Sequence, residues 1–227
     1  MNRNKQGFTL IELMLAMTFV SALLLAIAMT VIQISNIYTR GLTLKEVNQA
    51  GRTISTELKR GISQSAPFAI PGPKYVARSW GGRLCVGQYT YVWNYGSTLS
   101  DPGANGSNSN IYNNSASKIR FVKVSDSSGS YCSAPGTKSI NSIGAIELLA
   151  SGDRDLAIHS FTIANNSTDS KSNQSLYRVS YAIGTNDQVA LMPGQTSCRA
   201  PTDLASDLNY CSINQFNIVV RAVNALQ

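Results

Sequence analysis

Charge is scarce in this chain. Asp, Glu, Lys and Arg make up 14% of 227 residues, against about 25% in an average soluble domain. Asn, Ser, Gly and Thr fill the gap, a texture common in exported proteins. Histidine occurs once, at His159, and the four cysteines form no CxxC pair, which argues against a zinc site. There is no GxSxG, no P-loop, no HExxH and no glycine-rich turn between a strand and a helix, so the usual signatures of hydrolases, nucleotide-binding enzymes and metallopeptidases are missing. The expectation is no catalytic residue, no metal and no cofactor. A run of Lys or Arg is also lacking. The formal net charge of +7 and pI near 9.3 suit an acidic partner such as DNA, yet the basic residues are scattered. A mildly basic solvated surface is the stronger expectation, and DNA the weaker.

What is present begins with an apolar run. Residues 13–32, LMLAMTFVSALLLAIAMTVI, contain no charge, and twenty helical residues span about 30 Å, the thickness of a bilayer's hydrocarbon core. A cleaved secretory signal has a shorter apolar part and a small-residue cleavage site; this run is too long and continues into Gln33 and Ile34 without one. Beyond it, Ile34, Ile37, Tyr38, Leu42, Val47, Ile54, Leu58 and Ile62 recur at mostly three-, four- and seven-residue steps, with charges between them. That pattern predicts an amphipathic helix continuing out of the apolar one. Gly41, Gly51 and Gly61 weaken it by about 1 kcal/mol each, so a bend or melt is expected near Gly41. Pro67, Pro71 and Pro73 end it, giving one helix from Phe8 to about Gln64, about 85 Å long.

All four cysteines, Cys85, Cys132, Cys198 and Cys211, follow the helix. An even number of spread cysteines suggests an oxidising compartment. Three pairings are open; the favoured one closes Cys198 to Cys211 as a short loop and Cys85 to Cys132 as a long one. Arg3 and Lys5 before the span nearly balance Arg40 and Lys45 after it, so the positive-inside rule does not orient it. The cysteines favour an exported C-terminal part.

One residue in the greasy segment is out of place. Glu12 interrupts KQGFTLIELML, and a carboxylate near mid-bilayer costs roughly 2.5–3.5 kcal/mol. The stretch resembles the class III signal of type IV pilins and of the pseudopilins of type II secretion and competence systems: a short basic leader ending in Gly7, then Phe8, Thr9, Leu10, Ile11, Glu12 and a long apolar helix. The resemblance covers about the first sixty residues. It implies cleavage by a prepilin peptidase between Gly7 and Phe8, N-methylation of Phe8, and pairing of Glu12 with the N-terminal amine at Phe8 of a neighbouring subunit. In low dielectric such a pair offsets much of the cost of two isolated charges. The implied organisation is a leader at 1–7, a transmembrane or fibre-core helix at 8–34, an amphipathic continuation at 35–64 and an extracytoplasmic head at 65–227. The implied partners are other pilin subunits, prepilin peptidase, an inner-membrane assembly platform and the cytoplasmic membrane. The precursor would cross that membrane once, C-terminus outside, before joining an extracellular or periplasmic filament. The size of the head and the ending QFNIVVRAVNALQ are similar to the larger minor pilins, the PilW and J-type pseudopilin group, which implies a place in the tip or initiation complex. A pseudopilin of a secretion or DNA-uptake system and a non-polymerising membrane-anchored adhesin are the alternatives.

After the prolines come short runs rich in Tyr, Val, Ile, Phe and Trp: YVARSW, RLCVGQYTYVWNY, KIRFVKV, AIELLA, LAIHSFTIA, LYRVSYAIG and FNIVVRAV. They predict strands separated by loops rich in Gly, Asn, Ser and Pro. The fold expected is α+β, the amphipathic half of the helix packed on an antiparallel sheet, which is the architecture of type IV pilins. Tyr89, Tyr91, Trp93 and Tyr95 alternate along one predicted strand, as a packed core face would require. Asp153, Asp155 and His159 lie close in sequence; a turn followed by a strand with a surface histidine is preferred over an acid–base or metal site. The N-glycosylation pattern occurs at Asn105, Asn113, Asn165 and Asn173, as it easily does by chance in an Asn/Ser-rich chain.

Overall fold

A computed structural model of the protein describes residues 9–100, 118–133, 140, 144–149, 154–169, 171, 174–194 and 196–223. The first element is α1, Leu10–Ser63, 54 residues without interruption, about 80 Å long. Thr9 starts it through a capping box: its Oγ1 accepts from the Glu12 amide while the Glu12 carboxylate accepts from the Thr9 amide. At the other end the Gln64 amide closes on Arg60 and Ile62 carbonyls, and Pro67 follows. The helix does not break at Gly41. One glycine costs about 1 kcal/mol against Ala, too little to interrupt a ladder that continues for many turns on both sides.

Among the described residues the head holds two antiparallel sheets rather than one. The first runs in the order β1 (Tyr75–Arg78), β2 (Gly81–Val86), β3 (Tyr89–Asn94), β4 (Phe121–Ser125) and β5 (Ile146–Glu147); the second joins β6 (Leu156–Asp169), β7 (Gln174–Thr185) and β8 (Ile213–Ala222). Two short helices, α2 (Gly96–Leu99) and α3 (Ser130–Ser133), sit in the connections. The segment RLCVGQYTYVWNY, expected as a single strand, is a hairpin: Val86 pairs with Tyr89, and Gly87, at φ 58°, opens the two-residue turn. Tyr95 therefore falls past the end of β3 and caps α2, so the four aromatics do not share one strand. Tyr91 and Trp93 are fully buried, while Tyr89 and Tyr95 pack at the edge of the core.

The largest core joins the helix to both sheets, with smaller clusters around Val122 and around Leu191. Val47, Ile54, Leu58 and Ile62 of α1 meet Tyr91, Trp93 and Phe121 of the first sheet and Phe161, Tyr177, Tyr181 and Ile218 of the second. The helix crosses β8 and β7 and ends over the first sheet: Tyr181 Oη donates to the Gly51 carbonyl at 2.7 Å, and Tyr91 Oη donates to the Glu57 carbonyl at 3.2 Å. Two glycines let it come this close. The Phe216 ring occupies the space that any side chain at residue 51 would need, and a Cβ at Gly61 would lie 2.6 Å from Tyr91 Oη. Ile34, Ile37, Tyr38 and Leu42, expected on the same covered face, are exposed. Burial of α1 by the head begins at Thr43, whose Oγ1 donates to the Asn209 carbonyl at 2.9 Å; before it the head makes an exposed contact, from the Asn209 side-chain amide to Asn36 Oδ1 at 3.2 Å.

Candidate assembly helix

Along α1 the sequence has built a surface with nothing on it. Twenty large apolar side chains from Leu10 to Leu44 are exposed, and the most apolar stretch has a mean hydropathy of 2.5 with none of it buried. It is long and apolar enough to cross a bilayer. The only acid along that stretch is Glu12. Its carboxylate Oε2 accepts from the Thr9 amide at 2.9 Å and from Thr9 Oγ1 at 2.8 Å. Thr9 therefore fixes where the charge sits at the start of the helix. This role for Thr9 was readable: Thr-x-x-Glu just before an apolar run is a helix-start signature. Gly7 and Phe8 lie outside the described residues.

The remaining candidates fall elsewhere. Cys85 is bonded to Cys132, tying β2 to α3, and Cys198 to Cys211 within the β7–β8 connection. Asp155 and His159 do not form a pair. Strand β6 starts after Asp155, and its register shifts at His159, so the even spacing that would put both on one face is lost. Asp155 instead pairs with Arg120 at 2.6 Å, and His159 Nε2 lies 3.1 Å from the Thr185 carbonyl. Asp153 lies outside the described residues. Among those described, no three His, Cys, Asp or Glu side chains gather as metal ligands would.

Two acids in the head, Asp126 buried and Glu147 half-buried, serve structure. Burial pushes the Asp126 carboxyl up, but hydrogen bonds from Thr90, from the Ser130 hydroxyl and amide and from the Tyr131 amide outweigh it and hold it below the usual range. For Glu147 burial wins: its carboxyl is held above the usual range although the Phe121, Arg120 and Leu149 amides donate to it. At the helix seam, burial raises the Tyr181 hydroxyl to about 12, so it remains a neutral donor to α1.

Residues 2–32 match the family model of the prokaryotic N-terminal methylation motif. No curated protein and no solved structure matches the chain significantly. The fold is α+β and type IV pilin-like, a long apolar helix followed by an antiparallel head. The motif supports a type IV pilin or pseudopilin precursor, a structural rather than enzymatic family, with prepilin peptidase and other pilin subunits as its partners. The helix and the signal fit a membrane-anchored precursor that later enters an extracellular filament.

Proposed function

We propose that the chain is a minor structural subunit of a type IV pilus or related filament, cut between Gly7 and Phe8, methylated at Phe8, and docked through Glu12 onto the amino terminus of a neighbouring subunit. The observation that carries this reading is the uncovered apolar half of α1 beside a head with a complete core. Burying one large apolar side chain is worth about 1.5–3 kcal/mol, so a surface this long does not stay in water. A bilayer accommodates it before assembly and a bundle of like helices afterwards. Glu12 supplies what an apolar stripe lacks, a mark of axial position. A subunit docked out of register leaves a carboxylate alone in low dielectric, and breaking such a pair costs about 3–5 kcal/mol. Thr9 follows the new terminus directly, so its cap on Glu12 survives the cut. The large two-sheet head supports a minor place at the tip or in the initiating complex over that of main building block.

Mass spectrometry of purified filaments tests the reading. The expected finding is a peptide beginning at singly methylated Phe8, at far lower abundance than the main subunit. A mature protein retaining MNRNKQG would overturn it, and abundance matching the main subunit would remove the minor role.

A further inference from the structure

The seam where α1 enters the head holds an acid without a counterpart. Glu46 follows the last exposed apolar residue of the helix, Leu44, by two positions. Its Oε2 is sealed from solvent and accepts no hydrogen bond, and none of the ion pairs among the described residues includes it. An unpaired buried carboxylate oxygen is expensive, and native structures rarely keep one without use. Glu46 lines an open cavity of about 280 Å³ with Gln49, Ala50 and Thr53 on the helix side and Leu148, Leu149 and Leu156 on the head side. The volume is below that of ordinary small-molecule sites, about 300–1,000 Å³. It suits a single long side chain with an apolar stem and a cationic end, a shape found only in lysine and arginine, whose methylenes pack on apolar surface while the charge reaches a polar group.

We propose that this cavity receives a lysine or arginine from the neighbouring filament subunit, its stem against the leucines and its charge on Glu46. This rests on the filament reading above, because the cavity continues the exposed face of α1 directly. The free chain would thus carry a half-buried acid with one oxygen sealed and unbonded and no counter-ion among the described residues, and docking would supply one. Glu12 and Glu46 would then read the two ends of one helix, the first against an amino terminus and the second against a side chain.

Opposite signs in two readouts distinguish this from a structural role. In the full chain solubilised in detergent, Glu46→Gln is expected to melt no lower than the unchanged protein, since it removes a charge that nothing balances. In cells the same variant is expected to lose its leader normally yet enter filaments at least about tenfold less, as loss of one member of a buried interfacial pair predicts. A lower melt, or undiminished incorporation, would overturn the proposal. Photocrosslinking in cells gives a second test that does not depend on that variant. A benzophenone residue at Gln49 is expected to capture a Lys- or Arg-bearing segment of another filament subunit. One at Ile27, in the apolar half, serves as the reference. Capture from Ile27 with none from Gln49 overturns the Glu46 contact and leaves the filament reading standing; capture from neither removes both. A Gln49 adduct to lipid or to a protein outside the filament also overturns the contact.

Discussion

From Leu10 to Leu44, α1 shows apolar side chains on every side and the head touches almost none of them; from Val47 to Ile62 it shows them on one face, and that face is sealed. The two halves are one unbroken helix, so backbone propensity does not distinguish them. The difference is in what they are matched to. The second half was fitted to fixed partners within its own chain, with glycine at residues 51 and 61 where Phe216 and Tyr91 press closest. The first half has no such fitting. It suits any dry surrounding, lipid or other helices, and it carries a single acid, Glu12, near its end. On the proposed reading, folding and assembly are thereby separated along one element.

The largest effect expected from that separation is at Glu12. Glu12→Ala removes the carboxylate that would meet a neighbour's amine and leaves that amine alone in low dielectric, so incorporation into filaments should drop roughly a hundredfold or more. Thermal melting of the head should not change, and the leader should still be lost. Immunoblots of sheared filaments against whole cells measure the first, and the mature mass checks the second. Normal incorporation would show that Glu12 plays no part in docking.

Within the helix the same substitution type should have very different consequences. Leu58 is fully buried among both sheets, so Leu58→Ala should destabilise the head by about 2–5 kcal/mol through lost burial and a cavity. Ile37 belongs to the same periodic pattern but is exposed, and Ile37→Ala should stay within about 0.5 kcal/mol. Denaturant melts of the detergent-solubilised chain, compared at equal slope, decide it. Similar losses for both would mean that the head buries α1 before Thr43.

Ile37 also shows where sequence reading stops. The helix, its apolar stretch and most of the strands were legible, because period and composition act locally. The α+β class follows from them. The point at which cover begins was not legible: it depends on Thr43 meeting the carbonyl of Asn209, a contact across most of the chain that no periodicity announces, and made by a polar residue. The split into two sheets was hidden for the same reason, since strand order is a matter of long-range pairing. Two features missed were local and readable. Gly87 followed by one residue between β-rich runs is a hairpin signal, and Thr9 with Glu12 is a capping box. Glu12 belongs to two signatures at once, the signal's acid and the last position of the capping box that starts α1. His159 was displaced by a bulge, which the sequence does not mark.

The smallest expected effect compares the two capped acids directly. Asp126 resembles Glu12 in taking its hydrogen bonds from nearby residues, Ser130 and Tyr131, and adds one from Thr90 at 2.9 Å. Unlike Glu12 it has its whole set of partners within the head, so its loss should appear in stability and leave assembly unaffected. Asp126→Asn exchanges an acceptor oxygen for an NH₂ that faces donors, at about 1–3 kcal/mol. The pH dependence identifies the charge as the cause. The folded carboxyl lies below its ordinary value of 3.8, so its contribution is complete above that pH and is lost as the pH falls through the folded value. The difference in melting between the two proteins should therefore be constant near neutrality and shrink below about pH 4. Glu147 runs the other way, because a carboxyl held above its ordinary value of 4.5 favours the fold when protonated, below that value, and loses this contribution as the pH rises. It is present in both proteins and cancels in the difference. A gap that stays constant through the acid range would show that Asp126 acts by shape alone.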